Sequence, residues 1–67
     1  MNVFVNTEAT KLSGSSTLHD LLCLIQMDGQ KGIAVAVNQS IVPRGNWKTV
    51  ELKENDSVTI IHATQGG

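Results

Sequence analysis

Residues 17–37 read TLHDLLCLIQMDGQKGIAVAV, and this stretch places a helix directly before an apolar strand. Thr17 followed three residues later by Asp20 is the pattern of a capping box, which begins a helix. Four apolar residues then fall at i, i+3, i+4 and i+7, which predicts one buried helical stripe: Leu18, Leu21, Leu22 and Ile25. Gly29 and Gly32 are expected to end the helix.

Strands are predicted on both sides of this helix. Upstream, residues 2–6 and 8–12 are expected to form a hairpin. Downstream, residues 33–37 read as an apolar strand, residues 41–42 as its short partner and residues 58–62 as the last strand. A helix stripe packed on such strands gives a mixed sheet of four or five strands, in which the strand after the helix runs parallel to an earlier one. The order matches an α+β fold of the ubiquitin-like β-grasp type, with residues 1–63 as one domain and residues 64–67 as a flexible tail.

Composition excludes several classes of protein. The chain has 67 residues, 40% of them hydrophobic and 16% charged, which is typical of one small globular domain. A net charge of −1 gives no basic footprint for nucleic acid. No apolar run is long enough to span a bilayer, no polybasic cluster suggests a membrane surface, and the first residues do not resemble a signal peptide.

The single cysteine, Cys23, fits a reducing cytoplasm. With one Cys and two separated histidines, His19 and His62, we expect no metal cluster built from soft ligands. On a helical wheel Cys23 and Met27 lie roughly opposite the apolar stripe, so Cys23 is predicted to be outside the core. Cys23 could be a nucleophile or a sulfur relay; an incidental surface thiol is favoured, because no neighbouring basic residue would lower its pKa.

The last four residues, Thr64-Gln65-Gly66-Gly67, follow the final predicted strand directly. Glycines cannot pack in a core, but a tail without side chains can enter a narrow channel of another protein. Fully extended, the segment from Ala63 to Gly67 reaches roughly 16 Å. Its one reactive group is the α-carboxylate of Gly67, which is ionised at neutral pH. The tail is therefore predicted to be the functional site.

Residues 36–47, AVNQSIVPRGNW, and the helix entry at residues 17–22, TLHDLL, resemble the ThiS family of sulfur carrier proteins of thiamin biosynthesis. The terminal pair Gly66-Gly67 is similar to the family's defining end, and the resemblance covers essentially the whole chain. Gln65 departs from the small or apolar residue usual at that position in the family.

The resemblance implies a protein cosubstrate rather than an enzyme, with no cofactor of its own. A ThiF-like adenylyltransferase, related to the ubiquitin-activating enzymes, would draw the tail into its ATP site and adenylate Gly67. A persulfide from a sulfurtransferase or a cysteine desulfurase would then convert the carboxylate to a thiocarboxylate, and thiazole synthase would take the sulfur. In this interpretation Thr64, Gln65 and Gly66 are recognised as the tail.

For each of three residues that precede the tail, two interpretations remain open. Arg44 could pair with an acidic partner surface or be a solvated turn residue. Trp47 could anchor a partner or, as we favour, cover a small core whose other aromatic residue is Phe4. Ile61 could belong to an apolar docking patch or simply lie at a sheet edge. Two other functions also remain: sulfur delivery in another pathway, such as molybdopterin synthesis or tRNA thiolation, and a plain β-grasp interaction module.

Overall fold

The computed structural model describes residues 1–62, which form a five-stranded mixed sheet with one helix across one face. The elements, in chain order, are β1 (Asn2–Val5), β2 (Glu8–Lys11), α1 (Leu18–Leu24), β3 (Ile33–Val37), β4 (Ser40–Val42), a 3-10 turn (Arg44–Asn46) and β5 (Ser57–His62). The spatial order of the strands is β2-β1-β5-β3-β4. The predicted mixed sheet with a single covering helix is confirmed.

The parallel pair of neighbouring strands consists of β1 and β5, the first and last strands of the described chain. The other neighbouring pairs are antiparallel. The strand after the helix, β3, therefore runs in the same direction as β2, as predicted, but β1 and β5 lie between them. As a result, β5 is the central strand of the sheet.

Both hairpins turn through two residues with left-handed backbones. Asn6 and Thr7 have φ of 50° and 74°, and Asn38 and Gln39 have φ of 51° and 73°. Two positive φ values in succession are the mark of a type I′ turn, whose twist matches that of the flanking strands. Asparagine at the first position tolerates this conformation better than most residues, so the sequence fixes the register of both hairpins.

The capping box at the start of α1 is present as predicted. The Asp20 backbone N–H donates to Thr17 Oγ1 at 3.2 Å, and the Thr17 backbone N–H donates to Asp20 Oδ2 at 2.9 Å. The backbone hydrogen bond from Thr17 lowers the pKa of the Asp20 carboxyl below its ordinary value. Two backbone donors that the helix itself cannot use are thereby satisfied.

The helix ends at Leu24, earlier than Gly29 and Gly32 predicted. Gln26, with φ of 63°, takes the left-handed position that glycine usually fills. Its N–H donates to the Cys23 carbonyl at 3.1 Å, and the Met27 N–H donates to the Leu22 carbonyl at 2.7 Å. This pair of bonds is a Schellman motif. The helical-wheel position of Met27 opposite the stripe does not apply, because the chain has already reversed there and packs the side chain against the core.

The core lies between α1 and one face of the sheet. The predicted helix stripe is confirmed: Leu18, Leu21 and Leu22 are fully buried, and Ile25 packs against them partly buried. The sheet contributes the buried side chains of Val3, Val35, Val58 and Ile60. Phe4 is not a core residue, contrary to expectation, because its neighbours on the strand face the helix and Phe4 therefore faces away. Within residues 1–62 no helix has the length and hydrophobicity needed to cross a bilayer.

Candidate functional site

The strand that leads into the predicted tail is held on both sides. On one side, β5 pairs with β3 along its length, as far as the register pair of His62 with Ile33. On the other side, β1 stops at Val5, but the side chain of the next residue continues the pairing. Asn6 Oδ1 accepts a hydrogen bond of 2.8 Å from the backbone N–H of Ile60. The chain therefore leaves the fold from a central strand that is anchored within two residues of its described end.

The sheet face opposite the helix, which we call the outer face, carries exposed apolar side chains from three strands. Phe4 on β1 is 37% exposed, Ile41 on β4 is 64% exposed and Ile61 on β5 is 52% exposed. Ala34 and Ala36 of β3 lie between them, since Ala34 pairs with Ile61, and Ala36 pairs with Ile41. The side chains on β3 are small, and Thr59 of β5 lies opposite Ala36 on the same face. The exposed apolar side chains around them make this face suited to contact with another protein surface.

Ile61 is the member of the outer face nearest the tail. The interpretation of Ile61 as an edge residue is wrong, because β5 has a neighbouring strand on each side. Sequence reasoning did not assign Phe4 or Ile41 to this face. The alternation of side chains along a strand could have indicated Phe4, whereas Ile41 depended on the pairing of β4 with β3.

Arg44 and Trp47 contact each other and hold together the segments around the 3-10 turn. The Arg44 guanidinium lies 4.5 Å from the centroid of the Trp47 ring, a cation–π contact. Its two terminal nitrogens donate to the backbone carbonyls of Asp28 and Gln30. Neither of the two sequence interpretations of Arg44 anticipated this structural role, and pairing with a partner stays a prediction.

Trp47 is only 3% exposed, and its Nε1–H donates to the Val42 carbonyl at 3.0 Å. The indole is therefore a core side chain whose polar group is satisfied within the fold. This burial favours the core interpretation of Trp47 over that of an exposed anchor.

Cys23 is exposed, as predicted, but two ionisable side chains that the sequence did not place beside it lie close to its thiol. Its Sγ lies 3.7 Å from both ring nitrogens of His19, one helical turn earlier. Desolvation and the neighbouring carboxylate of Asp28 raise the pKa of the thiol, and this outweighs the opposite effect of Lys48. The thiol is thus not activated as a nucleophile. The expectation that no metal-ligand cluster forms counted only Cys and His, and so it left out Asp28, which lies beside both.

The residues of the predicted tail, Thr64, Gln65, Gly66 and Gly67, lie outside the described residues. Their roles in recognition and in carrying sulfur stay predictions. The described part of the chain ends with β5, whose last residue pairs with β3, and Ile61 of the outer face is one residue before that end.

Comparison with known proteins gives a consistent family. The family model described as "ThiS family" matches residues 3–67. The sulfur carrier protein ThiS of Escherichia coli (strain K12) is 34% identical over 68 residues, covering all of both chains. A thiazole synthase of Magnetococcus marinus is 31% identical over 67 residues; the match covers all of this chain but only 20% of that protein.

Solved structures show the same fold. A crystal structure of a thiamine biosynthesis protein (ThiS) from Geobacter metallireducens superimposes with a TM-score of 0.85, at 22% sequence identity and with full coverage of both chains. A solution structure of a thiamine biosynthesis protein from the same organism superimposes with a TM-score of 0.76, at 23% identity, covering all of this chain and 88% of the other. At these identities the structural likeness supports the predicted β-grasp fold.

Proposed function

The chain belongs to the ThiS family, and we propose that it carries sulfur for thiazole formation in thiamin biosynthesis as a thiocarboxylate on Gly67. The observation that carries the proposal is the agreement in sequence along the whole chain. The family match continues to residue 67, and the alignment with the Escherichia coli sulfur carrier covers all of both proteins.

The chemistry needs a partner, because a carboxylate has no good leaving group. The Gly67 carboxylate would attack the α-phosphate of ATP in a ThiF-like adenylyltransferase, giving an acyl-adenylate and pyrophosphate. The outer sulfur of a persulfide, supplied by a sulfurtransferase or a cysteine desulfurase, then displaces AMP. A thiol reductant then cleaves the sulfur–sulfur bond of the resulting acyl disulfide, which gives the thiocarboxylate and the donor's free thiol while the reductant is oxidised to a disulfide. The groups that stabilise the transferring charge belong to the adenylyltransferase, so the carrier acts as a cosubstrate and not as a catalyst.

The outer face is the docking surface that we assign to the adenylyltransferase. If the tail enters the enzyme's ATP site, the enzyme must also cover the surface from which the tail leaves the fold. Ile61 is one residue from His62, the last residue described, and it is half exposed. Ile41 and Phe4 extend the same apolar face across the sheet. Recognition of the body would thus rest on the outer face, and recognition of the tail on Thr64, Gln65 and Gly66.

Thiazole synthase is the proposed acceptor of the sulfur. The support is the Magnetococcus marinus protein named thiazole synthase, a fifth of which aligns with this entire chain. A carrier-like segment joined covalently to such an enzyme has a high effective concentration at the enzyme's active site. We propose that the separate chain reaches the same kind of acceptor by binding. The exposed single thiol of Cys23 supports a reducing compartment such as the cytoplasm.

Intact-mass spectrometry tests the proposal directly. The parent chain, incubated with its adenylyltransferase, ATP and a persulfide source, should gain the mass of one sulfur-for-oxygen exchange, located on Gly67. Deletion of Gly67 should abolish the gain, and Gly66→Val should nearly abolish it, because a β-branched residue does not fit a narrow channel or adopt positive φ. Thr64→Val is the matched control, with a small effect because it is farther from the reacting carbon.

Two outcomes would contradict the proposal. Sulfur acquired by the chain that lacks Gly67 would show that the reactive group is not this carboxylate. Retention of the sulfur on Gly67 when thiazole synthase and its other substrates are added would exclude thiazole formation as the destination.

A further inference from the structure

The side of α1 that faces away from the sheet carries three potential metal ligands within reach of one another. His19, Cys23 and Asp28 each offer one ligand atom, and these three atoms lie within 4.8 Å of one another. Cys23 Sγ is 3.7 Å from both Nδ1 and Nε2 of His19, so either ring nitrogen can offer its lone pair beside the sulfur. Cys23 and Asp28 are exposed and His19 is half-buried, so an ion from solvent can reach them. This cluster is separate from the outer face.

The fold itself creates the cluster. His19 and Cys23 are four residues apart on α1 and therefore share one face of the helix, the spacing by which helices present two ligands to a metal. The left-handed turn at Gln26 then reverses the chain and brings Asp28 back beside the helix. Arg44 holds this return segment by donating to the Asp28 backbone carbonyl at 3.2 Å, which leaves the Asp28 carboxylate free to turn toward the thiol.

The distances suit a tetrahedral ion. With Zn–S bonds of about 2.3 Å and Zn–N bonds of about 2.0–2.1 Å, two ligands at a tetrahedral angle are about 3.6 Å apart. The distance between Cys23 Sγ and each His19 ring nitrogen is 3.7 Å, so the separation already suits such a pair, and a rotation of the imidazole ring would aim one nitrogen at the ion. Asp28 needs only a side-chain rotation, since its ligand atom lies within 4.8 Å of the others.

We propose that His19, Cys23 and Asp28 bind a divalent cation of the Zn²⁺ class, with water as the fourth ligand. Thiolate, imidazole and carboxylate are all ligands that Zn²⁺ accepts, and three protein ligands with one water form a common zinc arrangement. On binding, the Cys23 thiol gives its proton to solvent, and His19 coordinates the ion through the lone pair of one ring nitrogen. The ion's two positive charges are then balanced by one thiolate and one carboxylate.

The charges around the cluster favour a cation. The negative charges of Asp28 and Asp20 raise the pKa of the Cys23 thiol, whereas the positive charge of Lys48 lowers it. Desolvation and the carboxylates raise the pKa of the thiol, which disfavours a role as a nucleophile or sulfur relay. A bound cation would offset the repulsion between the thiolate and the carboxylate. Its positive charge would also lower the pKa of the coordinating thiol, which the carboxylates alone raise.

Cobalt is the probe of choice, because Co²⁺ occupies zinc sites and a cobalt–thiolate bond gives charge-transfer absorption in the near ultraviolet. Titration of the untagged chain with Co²⁺ under reducing, oxygen-free conditions should produce this band with a one-to-one endpoint, and Zn²⁺ should abolish it. Cys23→Ser should remove the band, and His19→Gln and Asp28→Asn should weaken Co²⁺ binding by at least about tenfold. His62→Gln is the matched control and should bind as the parent does.

Zn²⁺ should also raise the melting temperature of the parent, because a ligand that binds only the folded state stabilises it, and Cys23→Ser should lose this shift. Absence of the band in the parent, or equal Co²⁺ affinity in the parent and His19→Gln, would overturn the proposal. Neither readout involves adenylation or sulfur loading, so these experiments test the metal site independently of the proposed carrier function.

Discussion

Replacement of Ile61 by Ala should weaken the complex with the adenylyltransferase without unfolding the carrier. Ile61 is 52% exposed, so about half of its side chain is available for burial by a partner. Full burial of an Ile side chain is worth about 1.5–3 kcal/mol, and burial of half therefore contributes about 1 kcal/mol. A loss of this size raises the dissociation constant about fivefold. Isothermal titration calorimetry without ATP would measure it, because the tail then binds but does not react.

Leu24 provides a matched control for this experiment. It is 57% exposed, close to the exposure of Ile61, but it lies on α1, across the molecule from the outer face. Leu24→Ala should leave the dissociation constant unchanged, and thermal melts of both variants should confirm that each is folded. Equal weakening by the two substitutions would mean that general hydrophobicity, and not the outer face, governs binding. An unchanged affinity in the double variant Ile41→Ala/Ile61→Ala would refute the assignment of this face.

Four further predictions concern α1. Leu22→Ala should destabilise the fold by about 2–5 kcal/mol, because the side chain is fully buried; chemical denaturation would measure this, and a loss below about half a kcal/mol would remove Leu22 from the core. Gln26→Gly should stabilise the fold by about 0.5–1 kcal/mol in the same assay, because relief of left-handed strain exceeds the larger entropy loss of glycine. The Asp20 carboxyl has its folded pKa depressed below 3.8, mainly by the Thr17 backbone N–H, so its contribution to stability is present above that pH and is lost as the pH falls through the folded pKa. Asp20→Asn should therefore flatten the acid limb of the stability curve, and an unchanged limb would contradict the role of the capping box. Cys23→Ser should leave sulfur loading intact by intact-mass spectrometry, whereas loss of loading in a folded variant would reinstate Cys23 as a relay.

The sequence predicted those features of the fold that depend on local patterns. Three such patterns are present: the capping box at Thr17, the stripe of leucines and the alternation along the last strand. Each depends only on residues close together in one helix or strand. The end of the helix was missed because Gln26 adopts a conformation that is usual for glycine, and nothing in its residue type signals this.

Features that depend on contacts between distant segments could not be predicted. The cluster around Cys23 needs Asp28 to return to the helix, and the contact of Arg44 with the backbone of residues 28–30 holds that return. The outer face needs Ile41 to lie beside Ala36, which follows from strand pairing and not from the composition of either strand. The role of the tail stays a prediction, which rests on the chemistry of its own residues.

The position of β5 also determines how the domain withstands mechanical force. A partner that draws the chain outward along the strand axis loads hydrogen bonds to β1 and β3 in parallel, including those from the Phe4 and Asn6 backbone N–H groups to Asp56 and Val58 at 2.8 and 2.9 Å. Bonds loaded in this shearing geometry must break together, whereas a strand pulled at right angles to its axis can be peeled away one bond at a time. Tension generated during capture would therefore be borne by the centre of the sheet while the body stays folded.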